Sequence, residues 1–314
     1  MTTLPTSQTI SAKIRRLKKR KNAIILAHYY QHSDIQDIAD MVGDSLQMAQ
    51  FAAASKADIL LVAGVFFMAE TAKILNPSRK VLLPDLMAGC SLADSCPPDK
   101  FSAFIAQHPG SPIISYINCG AEIKAMSDVI CTSSNAVKII KSINTEKPII
   151  FAPDVNLGKY LMQQTGRELL LWNGSCLVHE NFSIDKILEL HRLHPKAKFI
   201  AHPESQPHIL RIASYIGSTK GMIEFVKQNQ CDEFIVATEA GILHQMHKEV
   251  PQKILIPGPT YQDNACACSE CPYMKMNTLE KLYQSLLSEK PDVRVNDDVQ
   301  LKAAQALERM LALS

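Results

Sequence analysis

The feature that most constrains the fold of this 314-residue chain is a pattern of strands and helices that occurs three times. Short apolar runs that end in polar residues alternate with segments of helical periodicity, and this alternation is typical of α/β proteins with parallel sheets. The predicted first strands begin at residues 23, 112 and 198, so the repeats are roughly 85–90 residues apart. These strands read AIILAHYYQ (23–31), PIISYINCG (112–120) and KFIAHPESQ (198–206).

Each first strand is followed by a predicted helix, a short polar turn and a second strand. The turns carry hydroxyl side chains that can cap a helix, and the backbone N–H groups at such a place can bind an anion. Another helix leads to a third strand, so each repeat is predicted as βαβαβ. The turns are GDSLQMAQ (43–50), CTSSNAVK (131–138) and IGSTKGMI (216–223); the second strands cover 57–65, 147–155 and 232–240, and the third strands 80–85, 168–174 and 253–259.

The repeats predict an α/β fold class, with three three-layer αβα domains that contain short parallel sheets and are related by a pseudo-threefold axis. Functional residues in such sheets lie at the carboxyl ends of the strands, so we expect the active site at the common centre of the domains. The predicted boundaries are a basic helix at 1–21, a first domain at 22–105 with the C-terminal segment 281–314 packing back on it, a second domain at 106–190 and a third at 191–280.

Charge and hydropathy argue against several classes of protein. The formal charge of +2 gives no general argument for a nucleic-acid partner, and the absence of an 18-residue apolar run argues against a membrane span. The basic segment KIRRLKKRK (13–21) suits a nucleic-acid arm or a transit peptide, but the helical spacing of Ile10, Ile14 and Leu17 favours an amphipathic helix. No apolar segment of a secretory signal follows it, and we expect a cytoplasmic protein without nucleic-acid or membrane partners.

Nine cysteines are a high count, and in a reducing cytosol they are expected to be ligands, reactive thiols or buried small residues. Those that follow the third strands of the three repeats are Cys90 in the first, Cys176 in the second, and Cys266, Cys268 and Cys271 in the third. Three equivalent domains would bring one thiolate each to a common centre. Of the remaining cysteines, we expect burial for Cys119, Cys131 and Cys231, and exposure in a proline-rich turn for Cys96.

Three thiolates suit a catalytic iron–sulfur cluster better than a structural zinc ion. A zinc site needs four ligands, usually in two close pairs, and the C-x2-H pair of Cys176 and His179 does not combine with 266–271 into a recognisable site. A [4Fe–4S] cluster normally takes four cysteines. With only three, one iron keeps an open position at which a substrate oxygen can bind.

Short motifs along nearly the whole chain carry a family resemblance: LAHYYQ, GDSLQMA, MAGCSLAD, SYINCGAEIKA, CTSSNA, WNGSCLVHE, AHPES, GSTKGM, ATEAGILHQM and CPYMKMNTLE. In this order they resemble the quinolinate synthase family of de novo NAD biosynthesis. The resemblance implies the condensation of iminoaspartate with dihydroxyacetone phosphate to quinolinate, phosphate and water, a transferase and dehydratase type of reaction. It also implies L-aspartate oxidase as the partner that supplies iminoaspartate.

The same resemblance implies one [4Fe–4S] cluster per chain, held by Cys90, Cys176 and Cys271, with its open iron acting as a Lewis acid. The third cysteine motif reads C-x-C-x2-C, whereas some relatives have C-x2-C-x2-C. This departure leaves Cys271 in place but puts a regulatory disulfide between Cys266 and Cys268 in doubt.

Polar residues at the strand ends and turns are similar to the family's functional residues. The implied acid–base set is His28, Tyr30, Tyr116, His202 and Glu204. The implied substrate-binding set is His28, Ser45, Tyr116, Asn118, Ser133, His179, His202, Glu204, Ser218 and Thr219. Each position also has an ordinary structural interpretation, because strand-end histidines are often hydrogen-bonded core residues and serines often cap helices.

Two other functions are compatible with the residues. One is a different iron–sulfur hydro-lyase, which would share the three cysteines but need no site for a triose phosphate. The other is a zinc-stabilised binding module, in which 266–271 is a structural knuckle and the basic start contacts RNA.

Overall fold

The computed structural model describes residues 7–261 and 269–314. Within these residues the chain forms three parallel sheets of four strands, and all three sheets have the same strand order. In each sheet the strand that comes first in the chain pairs with the second strand on one side and with the third on the other. This architecture confirms the predicted α/β class of three αβα domains with short parallel sheets.

The first sheet lies near the N-terminus, and its region contains α1 (Ser7–Arg20), β1 (Ala23–His28), α2 (Ser33–Gln36), β2 (Met41–Gly43), α3 (Ser45–Ala54), β3 (Ile59–Ala63), α4 (Phe66–Leu75), β4 (Lys80–Leu82) and α5 (Ser91–Asp94). Its strand order is β2-β1-β3-β4. All of β3 is buried, as expected for an inner strand of a parallel sheet covered on both faces.

The second sheet follows, and its region contains α6 (Pro98–Ala106), β5 (Ile113–Tyr116), α7 (Ala121–Met126), β6 (Val129–Cys131), α8 (Ala136–Ser142), β7 (Ile149–Ala152), α9 (Val155–Thr165), β8 (Leu169–Leu171) and α10 (Leu177–Glu180). Its strand order is β6-β5-β7-β8. The inner strand β7 is again buried along its whole length.

The third sheet has the order β10-β9-β11-β12. Its region and the C-terminal helices comprise α11 (Ile184–Leu193), β9 (Lys198–Ala201), α12 (Pro207–Leu210), β10 (Tyr215–Ile216), α13 (Thr219–Gln228), β11 (Glu233–Ala237), α14 (Ile242–Glu249), β12 (Ile254–Pro257), a 3₁₀ turn at Met274–Met276, α15 (Leu279–Ser288) and α16 (Asp297–Ala312).

The prediction of three strands per repeat was wrong, because each sheet has a fourth. The strands that the sequence pattern missed are β2, β6 and β10, each only two or three residues long. They lie at the edge of a sheet and pair with a neighbour on one side only. Strands this short contain too few residues to show an apolar alternation, so only the pairing with the first strand of each sheet identifies them.

The terminal helices pack against the sheets. Helix α1 places Ile10, Ile14 and Leu17 in a buried cluster that also contains Leu282 of α15. Helix α16 contacts α7 and β6 of the second sheet as well as α4 of the first. The predicted domain boundaries stay predictions, since the C-terminal helices contact more than one sheet region.

No helix within the described parts of the chain is long and apolar enough to cross a membrane.

Helix α16 offers a direct test of its contribution to the core. Leu307 is fully buried between the first two sheets, whereas Leu301 on the same helix is 69% exposed. We expect Leu307→Ala to lower the free energy of unfolding by about 2–5 kcal/mol, because it leaves a cavity. Leu301→Ala should change it by less than about 0.5 kcal/mol. Urea unfolding of both variants measures the difference, and equal midpoints would contradict the assigned packing of α16.

Candidate active site

The carboxyl ends of the strands in all three sheets face a single cavity of about 710 Å³. Each sheet contributes residues from equivalent places: the end of its first strand, the start of the helix after its second strand, and the loop after its fourth. The predicted site residues that line this cavity are His28, Tyr30, Ser45, Cys90, Tyr116, Asn118, Ser133, Cys176, His179, His202, Glu204, Thr219 and Cys271. The strand ends of the three sheets therefore meet around one cavity, as the repeats predicted.

Glu204 lies at the centre of the polar part of this cavity. Its Oε1 accepts a hydrogen bond of 2.6 Å from the phenol of Tyr116, and its Oε2 lies 3.2 Å from Nδ1 of His179. Nδ1 of His202 is 3.5 Å from Oε1, and the rings of His179 and His202 stack with their centroids 4.8 Å apart. The carboxylate thus brings together side chains from the second and third sheets.

Burial and these contacts set the charge states of the cavity. Burial alone would raise the pKa of Glu204, but the neighbouring imidazoles of His179 and His202 and the Tyr116 phenol outweigh it and hold the pKa below its usual value. Burial lowers the pKa of His28 and of His202 to about 3, so both imidazoles are neutral near pH 7. The ionised carboxylate of Glu204 therefore shares the cavity with the neutral imidazoles of His28 and His202.

Three of the four predicted hydroxyl residues stand at a helix start, and the fourth, Ser133, lies in the turn before α8. Not all four face the cavity. Ser45 and Thr219 are the first residues of α3 and α13 and line it. Ser133 also lines it and lies 3.2 Å from Nε2 of His202. Ser218 does not line the cavity; its hydroxyl caps α13 by accepting the N–H of Gly221. Ser218 therefore has the capping role, and its predicted contact with substrate stays a prediction.

Three cysteines follow the last strands of the three sheets and line the same cavity. Cys90 and Cys176 are the N-caps of the short helices α5 and α10, and Cys271 precedes the 3₁₀ turn at Met274–Met276. None of the three forms a disulfide. Backbone N–H groups two or three residues further along each loop point at the sulfur: those of Leu92 and Ala93 for Cys90, of His179 for Cys176, and of Tyr273 and Met274 for Cys271.

This donor set fits a metal centre. Burial raises the pKa of the Cys90 thiol to about 12, and it also raises the pKa of Cys176 and of Cys271, so uncompensated thiolates are unfavourable here. Bound metal ions remove this penalty because their charge stabilises the thiolate, and N–H groups aimed at sulfur support such ligands. The sulfur of Cys176 also lies within 4.8 Å of ligand atoms of His179 and Glu204, so the polar groups adjoin the thiols.

Comparison with known proteins identifies the family. A family model described as quinolinate synthetase A protein matches residues 12–312. A quinolinate synthase of Nostoc sp. strain PCC 7120 is 60% identical over 303 residues, which cover 96% of this chain and 93% of that protein. The quinolinate synthase of Microcystis aeruginosa is 59% identical over 301 residues, covering 96% and 94% respectively. This chain belongs to the quinolinate synthase family.

The family assignment makes this chain an enzyme. The cavity also contains a residue that the sequence did not single out. Glu239 follows β11 and lines the cavity, at the one set of strand ends for which no functional residue was predicted. It lies within the ATEAGILHQM motif, so a search of every strand end for charged residues would have found it. Burial raises the pKa of Glu239 to about 7, although contacts with Lys275 and two backbone N–H groups lower it.

Glu239 holds the loop that carries the third cysteine. Its Oε1 accepts the backbone N–H of Cys271 at 3.1 Å and lies 2.9 Å from Nζ of Lys275. Nζ of Lys275 also donates a hydrogen bond of 2.9 Å to the carbonyl oxygen of Tyr30. This buried ion pair therefore ties Cys271, in the third sheet region, to the end of β1 in the first.

The other cysteines divide differently from the prediction. Cys119 and Cys131 are fully buried as expected, whereas Cys231 is half-buried and its thiol donates to the carbonyl of Lys196. The expected exposure of Cys96 was wrong: it is only 2% exposed, because the chain after the proline-rich turn packs it against Phe101. Cys266 and Cys268 lie outside the residues that the structure describes.

The Glu239–Lys275 pair predicts an asymmetric response to mutation. Lys275→Met leaves a buried carboxylate without its counter-charge, and we expect a loss of about 3–5 kcal/mol in the free energy of unfolding. The double variant Glu239→Gln/Lys275→Met should be more stable than Lys275→Met alone. Lys281→Met removes a more exposed pair, in which Nζ lies 2.6 Å from Asp85, and should cost about 1 kcal/mol or less. Anaerobic urea unfolding measures all three, and equal losses for the two single variants would contradict this assignment.

Proposed function

We propose that this enzyme condenses iminoaspartate with dihydroxyacetone phosphate to form quinolinate, with release of inorganic phosphate and two molecules of water, as a step of NAD biosynthesis. Atom balance of a four-carbon imine and a three-carbon phosphate ester against a pyridine dicarboxylate requires these products. The observation that carries the proposal is one cavity that combines three free thiols, from equivalent loops of three sheets, with a buried carboxylate and helix-start hydroxyls.

Cys90, Cys176 and Cys271 are the proposed ligands of one [4Fe–4S] cluster. When bound, such a cluster supplies an iron without a protein ligand, which is a Lewis acid for a departing hydroxyl group. His179 and Glu204 adjoin Cys176, so substrate held by these two side chains lies next to the thiols. Maintaining three free thiols requires a reducing compartment, and we propose the cytoplasm.

The anionic groups of both substrates need hydrogen-bond donors in a buried site. Ser45 and Thr219 each begin a helix of 10 residues, whose first N–H groups and positive end favour a phosphate or carboxylate. Ser133 and Asn118 add donors from the second sheet. Ser218 supports this set indirectly, because it caps the helix that begins with Thr219.

Proton transfers are assigned to the residues at the ends of the first strands. Isomerising a triose phosphate and closing a ring both move protons between adjacent atoms of the substrate. Glu204 is the proposed proton acceptor, with the Tyr116 phenol donating a hydrogen bond to its carboxylate and the His202 imidazole lying beside it. His28 and Tyr30 are the proposed acid–base pair at the end of β1, where burial keeps the imidazole neutral and raises the pKa of the phenol well above its usual value.

An oxidase acting on L-aspartate is the class of partner that would supply iminoaspartate, and we include it in the proposal. Neither nucleic acid nor a membrane takes part in the proposed reaction.

Cluster ligation is tested by iron and sulfide analysis of protein purified without oxygen. We expect about four irons per chain, a brown colour, and quinolinate formed from the two substrates. Cys176→Ser should lose the iron and the activity because one of three ligands is gone. Cys231→Ser, the matched control outside the cavity, should keep both. A zinc-containing colourless protein would contradict the cluster, and an intact cluster without quinolinate would favour the different hydro-lyase.

The role of Glu204 is tested separately from the cluster. Glu204→Gln keeps the shape of the side chain but removes the charge, and kcat should fall by roughly 100-fold or more while iron content stays unchanged. Glu233→Gln is the control, since Glu233 pairs with His194 at 3.2 Å, away from the cavity. Turnover of Glu204→Gln within a few-fold of the unmutated enzyme would refute the proposed role.

A further inference from the structure

Thr238 is a buried hydroxyl residue that joins two of the proposed active-site side chains. It directly follows β11, is 1% exposed and does not line the cavity. Its Oγ1 lies 2.6 Å from the phenol oxygen of Tyr30 and 3.0 Å from Nε2 of His179. Tyr30 follows the first strand of the first sheet and His179 the last strand of the second, so one hydroxyl of the third sheet connects all three.

These contacts belong to a chain of neighbouring polar side chains beside the cavity. From Thr238 the chain passes through the His179 ring to Glu204, whose Oε2 is 3.2 Å from Nδ1, and then to Tyr116 at 2.6 Å. Nδ1 of His179 and Oε2 of Glu204 approach each other without meeting hydrogen-bond geometry, and neither atom has another hydrogen-bond partner. The chain thus runs Tyr30–Thr238–His179–Glu204–Tyr116.

Glu204 gives the chain a direction. An ionised carboxylate only accepts hydrogen bonds, so the hydrogens of the chain point toward it. The phenol of Tyr30 then donates to Thr238, the single hydroxyl hydrogen of Thr238 goes to Nε2 of His179, and Nδ1–H faces Glu204. The Thr238 hydroxyl lies between Tyr30 and His179 and can accept from one and donate to the other at once.

The sheet itself does not require a hydroxyl at this position. In each sheet an alanine ends the third strand of the chain, and the registers pair Ala63 with Ala27, Ala152 with Ser115, and Ala237 with Ala201. The residues that follow these alanines are Gly64, Pro153 and Thr238. The first two sheets have glycine and proline at the position where the third has threonine. The fold can therefore form without a hydroxyl there, and the fold does not explain why Thr238 has one.

We propose that Thr238 is a positioning residue for the reaction assigned above, whose hydroxyl fixes the phenol of Tyr30 and the ring orientation and tautomer of His179. This proposal rests on the proposed function, because its test measures the formation of quinolinate. Thr238 acts through its two partners and does not itself contact the substrate.

The test compares Thr238→Val, which has nearly the same shape without the hydroxyl, with Thr238→Ser, which keeps it. Thr238→Val should lower kcat roughly 10- to 100-fold, since the Tyr30 phenol and the buried His179 ring lose their partner, whereas KM should change little. Thr238→Ser should stay within about 3-fold of the unmutated enzyme. Thr71→Val, which removes another buried hydroxyl that donates to Phe67 O at 2.8 Å, should leave turnover unchanged. Iron content is measured for every variant.

A double variant separates positioning from a general loss of stability. If Thr238 acts through Tyr30, Thr238→Val should cost much less in a Tyr30→Phe background than in the unmutated enzyme. Fully multiplicative losses, or near-normal turnover of Thr238→Val, would overturn the proposal. If Thr238→Val does not fold, Thr238→Ala carries the same predictions.

A crystal structure of the variant gives a readout that does not depend on the assay. Displacement of the Tyr30 phenol or the His179 ring in Thr238→Val supports the proposal, and unchanged positions of both overturn it, whatever the activity. Absence of quinolinate formation by the unmutated enzyme would instead refute the proposed function.

Discussion

All strands in the three sheets run parallel to their neighbours, and this arrangement governs where chemistry is possible in the molecule. Parallel strands end at the same edge of a sheet, so every loop that follows a strand emerges on the same side. Three sheets that point these edges at one centre bring together loops from positions as distant as Cys90 and Cys271. The repeated fold thereby creates a site that no single sheet contains, with each sheet supplying one cysteine and one pair of strand-end residues.

A buried site of this kind must satisfy its own polar groups, because water does little to stabilise them. Glu204 is stabilised by Tyr116 and the two stacked histidines, and Glu239 by Lys275 and backbone N–H groups. Both carboxylates lie in the third sheet region. Glu204 takes partners from the second, and Lys275, the partner of Glu239, also binds the end of β1 in the first. The polar contacts that set the charge state of the cavity therefore also hold the three sheets in their relative positions.

The repeat and the fold class were predictable from the sequence because inner strands such as β3 and β7 are continuous apolar runs, and helices separate them. The edge strands β2, β6 and β10 were not predictable, since two or three residues carry no periodic signal. The burial of Cys96 was missed because a proline-rich turn says nothing about the helix that packs over it. Thirteen of the fourteen predicted site positions line one cavity, and Ser218 instead caps a helix.

The sequence by itself determined the three-fold pattern, the positions of the cysteines after equivalent strands, and the family motifs. These depend on the order of residues along the chain and on local periodicity. Only the tertiary structure decided which side chains meet: Thr238 reaches Tyr30 across 208 residues of sequence, and Glu239 accepts the N–H of Cys271 across 32. Such contacts follow from how the sheets pack against one another. The number of residues between two positions does not tell how far apart they lie in the folded chain.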